Sequence, residues 1–463
     1  MIVETRYYVT KKLQGDTLTP IAVYQALQGK FKMLFESNAK HEESGRYSFI
    51  ACNPIAELYG NQHETFYVQF DQSEKIRYEQ PVLDVLNDLL PQFDEQLPYS
   101  FFGGVIGHFN YETAFHVEKI GKYIADSRDI PDVHVFFYNS LIVFDHLEQT
   151  VTVVAIDLYK KGNQSEQLQS IVVELEEQIS KATIYEKSDE TDITFEPTIA
   201  KEDFVRMVEN AKEHIYAGNI FQIVLSQRFE ADFKGNPFAL YRKLRIANPS
   251  PYMFYMDFDE YTVLGTSPES LVKIQDGVVT TNPIAGTKKR GLTVEEDEQI
   301  ATQLLNDEKE IAEHKMLVDL GRNDIGRVCE IASVELTKYM TIEKYKHVMH
   351  IVSEVKGTLS ADKNAIDVIK ACLPAGTVSG APKIRAMQLI NDMEPNRRGI
   401  YAGAIGYISA NGNLDLALAI RTMIVKDGKA YVQAGAGVVY DSIPESEYEE
   451  TINKARALLE VRK

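Results

Sequence analysis

Residues Ile400–Val439 read "IYAGAIGYISANGNLDLALAIRTMIVKDGKAYVQAGAGVV". Three apolar runs are separated by Asn411-Gly412 and Asp427-Gly428, dipeptides that adopt positive φ readily and so suit two-residue hairpin turns. Strands joined this tightly pair antiparallel, because a parallel partner needs a crossover of a dozen or more residues. The same signal, Asp276-Gly277, stands between "YTVLGTSPESLVKI" (261–274) and "VVTTNPIAG" (278–286). The fold class these signals predict is α+β, with a large antiparallel β-sheet system.

Helices expected near 295–320, 361–372, 381–392 and 445–461 would cover the sheets. "EDFVRMVENAKEHIYAG" predicts a helix that stops at Gly218, followed by a strand in "NIFQIVLSQRF". The first third mixes both element types. "TPIAVYQALQG" has Thr19 as N-cap, Pro20 in the first turn and Gly29 as its stop. "KMLFES", "GRYSFIAC", "HVFFYNSLIVFDH" and "TVTVVAIDLY" read as strands, and "EQLQSIVVELEEQISKA" as an amphipathic helix. "EKSDETDITFEPT" has no apolar period, so 183–198 is expected to link a region 1–182 to a region 199–463.

The chain has 463 residues, a formal charge of -19 and an apolar fraction of 44%. That acidity repels nucleic acid and anionic membranes. No apolar run is long enough to span a bilayer. "MIVETRYYVTKKLQGD" lacks a signal-peptide apolar core. Cys52, Cys329 and Cys372 are scattered, which suits reduced thiols and a cytoplasmic location.

Within this acidic chain, "TNPIAGTKKRG" (281–291) is a basic turn suited to gripping an acid. "NDEKEIAEHKML" puts Glu310 and Glu313 on one helical face, and "IPESEYEETINKA" does the same for Glu447, Glu450 and Lys454. Two carboxylates from each of two helices would make an all-oxygen pocket suited to Mg²⁺, although such pairs are more often solvated helix faces. "LPAGTVSGAPK" and "QAGAGVV" offer backbone N–H groups without blocking side chains, or else simply pack tightly. Arg421 sits in an apolar run, and a buried guanidinium must meet an acid, from the protein or from a ligand.

Together "NPIAGTKKRG", "DEKEIAEHKMLVDLGRNDIGRV", "LPAGTVSGAPK" and "GAGVVYDSIPESEYEET" resemble the chorismate-utilising enzymes, within them the anthranilate synthase large-subunit branch. The resemblance implies a two-sheet sandwich covered by helices. It implies a lyase that converts chorismate and ammonia to anthranilate and pyruvate. Mg²⁺ would be held by Glu313 and Glu450, with Glu310 and Glu447 behind them. Arg421, Tyr401 and the backbone of Gly435, Ala436 and Gly437 would take the enolpyruvyl carboxylate. Gly286, Thr287 and Thr377 would line the ring, and Lys454 would support the metal carboxylates. Glu269 matches the family's general acid and His350 an active-site histidine. Aminodeoxychorismate-forming relatives carry a lysine nucleophile where this chain has Ala285, and isochorismate-forming relatives a water-activating lysine where it has Gln222. Gln222 would instead hydrogen-bond ammonia.

The resemblance also implies a tryptophan-inhibition site at Glu36, Ser37, Pro251, Tyr252 and Met253, with Phe35 where leucine is usual. The chain has no Gly-x-Cys-x-Gly elbow, so ammonia is expected from a partner glutamine amidotransferase subunit. An aminodeoxychorismate synthase component and a non-catalytic tryptophan- or chorismate-binding regulator are the alternative readings.

Overall fold

The structure is a computed structural model that describes residues 2–37, 45–72, 74–95, 97–124, 126–162, 164–183, 193–344 and 348–459. Among them, the strands form two antiparallel sheets, of 13 and 12 strands. The three glycine turns make hairpins as expected. Ser270–Gln275 pairs with Val278–Thr281, Ala404–Ser409 with Leu414–Leu418, and Thr422–Lys426 with Lys429–Val438.

The first sheet runs in the order Ile2–Glu4, Tyr8–Gln14, Thr150–Ile156, Ser140–Asp145, Tyr47–Ala51, Met33–Glu36, Tyr252–Asp257, Tyr261–Ser267, Thr422–Lys426, Lys429–Val438, Gln222–Asp232, Glu196–Pro197. The centre of the second is Ser270–Gln275, Leu414–Leu418, Ala404–Ser409, Gly104–Phe109 and Val133–Tyr138. Phe101, Phe136, Phe254, Val263 and Ile405 belong to one buried cluster that joins the two sheets.

Three runs expected as single strands are each two. "HVFFYNSLIVFDH" breaks at Asn139, "YTVLGTSPESLVKI" at Pro268-Glu269 and "LDLALAIRTMIV" at Ala419–Arg421, and in every case the two halves join different sheets. A strand that switches sheets turns a corner while staying apolar on both sides of the bend. The apolar pattern therefore continues through the break. The second and third corners touch. The Leu418 N–H donates to Glu269 O at 2.9 Å, the Thr266 N–H to Arg421 O at 3.1 Å, and Ser267 Oγ to Leu418 O at 2.7 Å.

Both sheets draw strands from 1–182 and from 199–463. Met33–Glu36 pairs with Tyr252–Asp257, and Gly104–Phe109 with Ala404–Ser409, so neither region completes a sheet by itself. Within the expected linker, 184–192 lie outside the described residues, while Glu196–Pro197 pairs with the strand Gln222–Asp232.

The helix Pro20–Ala26 is capped as anticipated, with Thr19 Oγ1 accepting the Ala22 N–H at 3.2 Å. The helix expected over 295–320 is two, Val294–Leu305 and Glu308–Gly326, because Asp307 caps the second by accepting from Lys309 and Glu310 N–H groups. Ala365–Cys372, Lys383–Met393 and Pro444–Leu459 match the remaining expectations. Among the described residues no helix is long and apolar enough to cross a membrane. Cys52, Cys329 and Cys372 are buried and unbridged.

Candidate active site

The two touching corners carry Glu269 and Arg421. Thr377, in the 3-10 turn Gly376–Val378, donates its hydroxyl to Glu269 Oε1 at 2.7 Å. Burial pushes the Glu269 carboxyl up to about 7, against the opposing pull of the Thr377 bond and of the positive charges of Lys454 and Arg421. A carboxyl poised there can hold a proton at neutral pH and release it. Arg421 occupies the left-handed region at φ +49, where a non-glycine residue is strained. Among the described residues its guanidinium has no side-chain hydrogen bond or ion pair, and Glu269 is the charge it feels. Of the acids considered for Arg421, a protein carboxylate bonded to it is therefore not what the fold supplies.

His350 lies on the strand Val348–Thr358. Its Nδ1 is 2.9 Å from Thr287 Oγ1 and 3.3 Å from Gly286 O. A carbonyl only accepts, so in the bond to Gly286 it is Nδ1 that carries a proton. Burial and the charge of Arg421 lower the basicity of this ring, against the contribution of the Gly286 carbonyl, which keeps it neutral. Gly286 is the extra residue of a bulge. Ala285 pairs with Ile351 and Thr287 with His350, leaving Gly286 unpaired at φ +74. A Cβ there would stand 3.1 Å from Glu310 Oε2 and 3.2 Å from Leu304 and Ile351. The basic turn does grip an acid, but one of the protein. Arg290 binds Asp297 through Nε at 3.0 and 2.8 Å, and Asp297 is held down at about 2 chiefly by that bond.

The four acids stand on two helices, Glu308–Gly326 and Pro444–Leu459. Burial raises the Glu310 carboxyl, and the negative charge of Glu313 adds to the effect. Burial likewise raises Glu447, which also feels Glu450, and Lys454 bonds Glu450 at 2.7 Å. Lys309, on the first helix, acts on both Glu310 and Glu447. Sequence reasoning missed Lys309. Its signal was its place beside Glu310 in a turn with three acids. Among the described residues, no three His, Cys, Asp or Glu side chains already converge on one point, so the four acids stand as two pairs rather than a closed ring. His314, one residue after Glu313, faces away and bonds Ser353 Oγ at 2.6 Å.

Gln222 links the helix Glu308–Gly326 to the first sheet. Its Nε2 donates to Glu313 Oε1 at 3.2 Å, and its buried Oε1 has no hydrogen-bond partner among the described residues. The strand Lys429–Val438 packs beside it with Val224 opposite Gly437 and Ser226 opposite Gly435. Small residues are required there. A Cβ on Gly437 would come 3.1 Å from Gln222 Nε2, and one on Gly435 would come 2.7 Å from the Tyr401 hydroxyl. Ala436, between them, is fully buried opposite Leu225.

The residues expected to bind tryptophan lie on neighbouring strands. Glu36 pairs directly with Met253, and its carboxylate accepts from Arg245 and from the Tyr241 hydroxyl, each at 2.7 Å. Ser37 Oγ donates to Tyr47 O at 3.1 Å. Pro251 immediately precedes Tyr252 at the start of Met253's strand, and Tyr252 donates its hydroxyl to Asp415 at 3.0 Å. Phe35 stands edge-on to Tyr407 at 6.4 Å. Residues 38–44 of the first stretch lie outside the described residues.

The chain matches the family of chorismate binding enzymes over residues 30–460. It is 46% identical to anthranilate synthase component 1 of Lactococcus lactis, covering 97% of this chain and 99% of that one, and 44% identical to that of Aquifex aeolicus, covering 97% and 93%. Among solved structures, anthranilate synthase component I from Streptococcus pneumoniae superposes with a TM-score of 0.84 at 45% identity, over 96% of this chain and 98% of that one. The menaquinone-specific isochorismate synthase from Escherichia coli shares the fold at a TM-score of 0.73 and 18% identity, over 99% and 96%.

Proposed function

Because the chain belongs to the chorismate binding enzyme family, on its anthranilate synthase component 1 branch, we propose that it is a lyase turning chorismate and ammonia into anthranilate and pyruvate at the cleft around Glu269. The observation that carries this reading is a carboxyl lifted to about 7 beside an arginine whose guanidinium has, among the described residues, no side-chain hydrogen bond or ion pair. Arg421 takes a substrate carboxylate, with the Tyr401 hydroxyl and the backbone of Gly435 to Gly437 alongside. Ammonia adds at C2 of the ring, where Ala285 offers no competing amine. Glu269 gives its proton to the departing 4-hydroxyl, which leaves as water. The Thr377 hydroxyl then stabilises the carboxylate left behind. In the second stage the enolpyruvyl group leaves, is protonated and becomes pyruvate. The unprotonated Nε2 of His350 takes the ring proton whose loss restores aromaticity.

Gln222 suits the ammonia. Its Nε2 is engaged by Glu313, so Oε1 is the atom with capacity to accept an ammonia N–H. The four carboxylates fit Mg²⁺: they are hard oxygen donors, half-buried in mutually repelling pairs that Lys309 and Lys454 offset only in part. Glu313 and Glu450 would hold the ion, backed by Glu310 and Glu447, with Lys454 supporting Glu450. Bound there, Mg²⁺ supplies positive charge to neutralise the ring carboxylate.

Two regulatory elements belong to the same proposal. The relatives' name, component 1, supports a second component, a glutaminase that feeds ammonia to this chain. Tryptophan would inhibit from Glu36, Ser37, Pro251, Tyr252 and Met253. The Tyr252–Asp415 bond supports this, since Asp415 shares a strand with Leu418, whose N–H meets Glu269 O.

The test is the isolated chain with chorismate, Mg²⁺ and ammonium salt at alkaline pH, read by anthranilate fluorescence. Anthranilate and stoichiometric pyruvate are expected, with tryptophan suppressing both. Accumulation of an aminodeoxychorismate, or no turnover, overturns the assignment. Turnover of glutamine by this chain without a partner overturns the two-component part.

A further inference from the structure

Arg398 is among the largest fully buried side chains, at 1% exposure. Four hydrogen bonds use its guanidinium. Nε and Nη2 bind Glu394 at 2.9 and 2.6 Å, Nη1 donates to Val378 O at 2.7 Å, and Nη2 donates to Val224 O at 2.7 Å. Its Cζ lies over two tyrosine rings, 4.7 Å from the centre of Tyr111 and 5.5 Å from that of Tyr401. Glu394 in turn accepts from the backbone N–H and the hydroxyl of Ser226 at 2.7 and 2.9 Å. From the other side, Glu112 accepts the backbone N–H groups of Arg398 and Gly399.

Each anchored segment carries a residue of the candidate site. Val378 follows Thr377, which holds Glu269. Val224 is two residues from Gln222, which holds Glu313. Tyr401 lies against the guanidinium, with its hydroxyl close to Gly435. Burying an ion pair is a poor route to stability, because desolvation takes back most of the attraction. A rigid fork of N–H donors, by contrast, can fix two carbonyls and a carboxylate at set separations as no lysine can.

We propose that Arg398 is the positioning residue of this site: buried beneath it, it holds the Thr377 turn, the Gln222 strand and the Tyr401 ring in register, so that Glu269, Glu313 and the substrate carboxylate meet correctly. The inference rests on the anthranilate-forming reading and goes beyond it, since the Arg398 guanidinium is engaged by protein groups.

The test compares wild type, Arg398→Lys, Thr377→Val and the double variant. The assay runs with Mg²⁺ and constant free ammonia across pH, and reads kcat and KM for chorismate separately. Lysine keeps the charge but cannot reach both carbonyls and Glu394. For Arg398→Lys, kcat/KM is expected to fall on the order of a hundredfold, as small misplacements of reacting groups do, with a higher KM. The alkaline limb should move to higher pH. The Thr377 bond favours ionised Glu269, so releasing it leaves the acid protonated further up the scale, with Lys454 and Arg421 still opposing. Thr377→Val should move the limb in the same direction, and the double variant no further than either single one.

A loss of activity with KM and limb unmoved, or two fully additive limb shifts, overturns the proposal and leaves Arg398 a packing residue. Should Arg398→Lys fail to fold, Glu394→Gln takes its place, because it removes the carboxylate that orients the guanidinium. The same limb movement is then expected, and its absence is decisive against the idea. Failure of the functional reading is distinguishable: wild type itself would then yield no anthranilate.

Discussion

Replacing Glu269 with glutamine should make the protein more stable and far less active, and the stability gain should grow with pH. In the folded chain this carboxyl titrates at about 7, from an ordinary value of 4.5. The folded value is the higher one, so the unfolded chain ionises first. No penalty exists well below pH 4.5, where both states are protonated. It builds between 4.5 and 7 as the unfolded state alone gives up its proton, and is constant above. The full difference, 7 − 4.5 = 2.5 units, is about 3 kcal/mol at 1.36 kcal/mol per unit. Glutamine cannot ionise, yet its Oε1 still accepts the Thr377 hydroxyl. Urea unfolding of wild type and Glu269→Gln at pH 5 and pH 8 measures the effect. The variant's relative stability should rise by roughly 2–3 kcal/mol between the two conditions. Ammonia-dependent turnover should drop on the order of 10²–10⁴-fold, the usual contribution of a positioned acid. A stability difference that does not change with pH would refute the claim that the site lifts this carboxyl. Preserved turnover would refute its role.

Other perturbations test neighbouring parts of the site. Gly286→Ala forces a side chain into the left-handed region and against Glu310, Leu304 and Ile351. It should cost about 1–2 kcal/mol in backbone strain alone, seen as a lower urea midpoint; an unchanged midpoint would mean the bulge relaxes freely. Arg421→Ala should raise KM for chorismate roughly thirty-fold or more, given about 2 kcal/mol or above for losing one partner of a buried charge pair, and an unaltered KM would remove Arg421 from substrate binding. Glu313→Gln and Glu450→Gln should each weaken Mg²⁺ binding in calorimetric titrations and abolish turnover, while binding as tight as wild type in either would move the metal elsewhere.

Local chemistry made much of this molecule readable. Asn411-Gly412, Asp427-Gly428 and Asp276-Gly277 announce hairpins because the positive φ they allow is a property of two residues and needs no context. Thr19 caps its helix by the same kind of short-range bond. The long motifs around Gly286, Glu313, Thr377 and Glu450 were visible as strings, so the family could be recognised before any distance was known. Glu394 and Arg398, four residues apart in a helix end and turn, carried no such mark. Their importance lies in carbonyls 20 and 174 residues away in sequence.

The chain order alone thus determined the class of fold, the glycine turns, the Thr19 cap and the inventory of acids, because each depends on neighbours within a few residues. Only the tertiary structure decided where an apolar run changes sheets. Alternation of apolar residues looks the same whether a strand continues or turns a corner between two sheets that bury it on both sides. Those corners bring Glu269 beside Arg421. The pairing of Gln222–Asp232 with Lys429–Val438 brings Gln222 to Gly437, and the packing of the helix Glu308–Gly326 brings Glu313 to it. The raised proton affinity of Glu269 arises from that assembly, since desolvation acts on a carboxyl only after distant segments have closed around it.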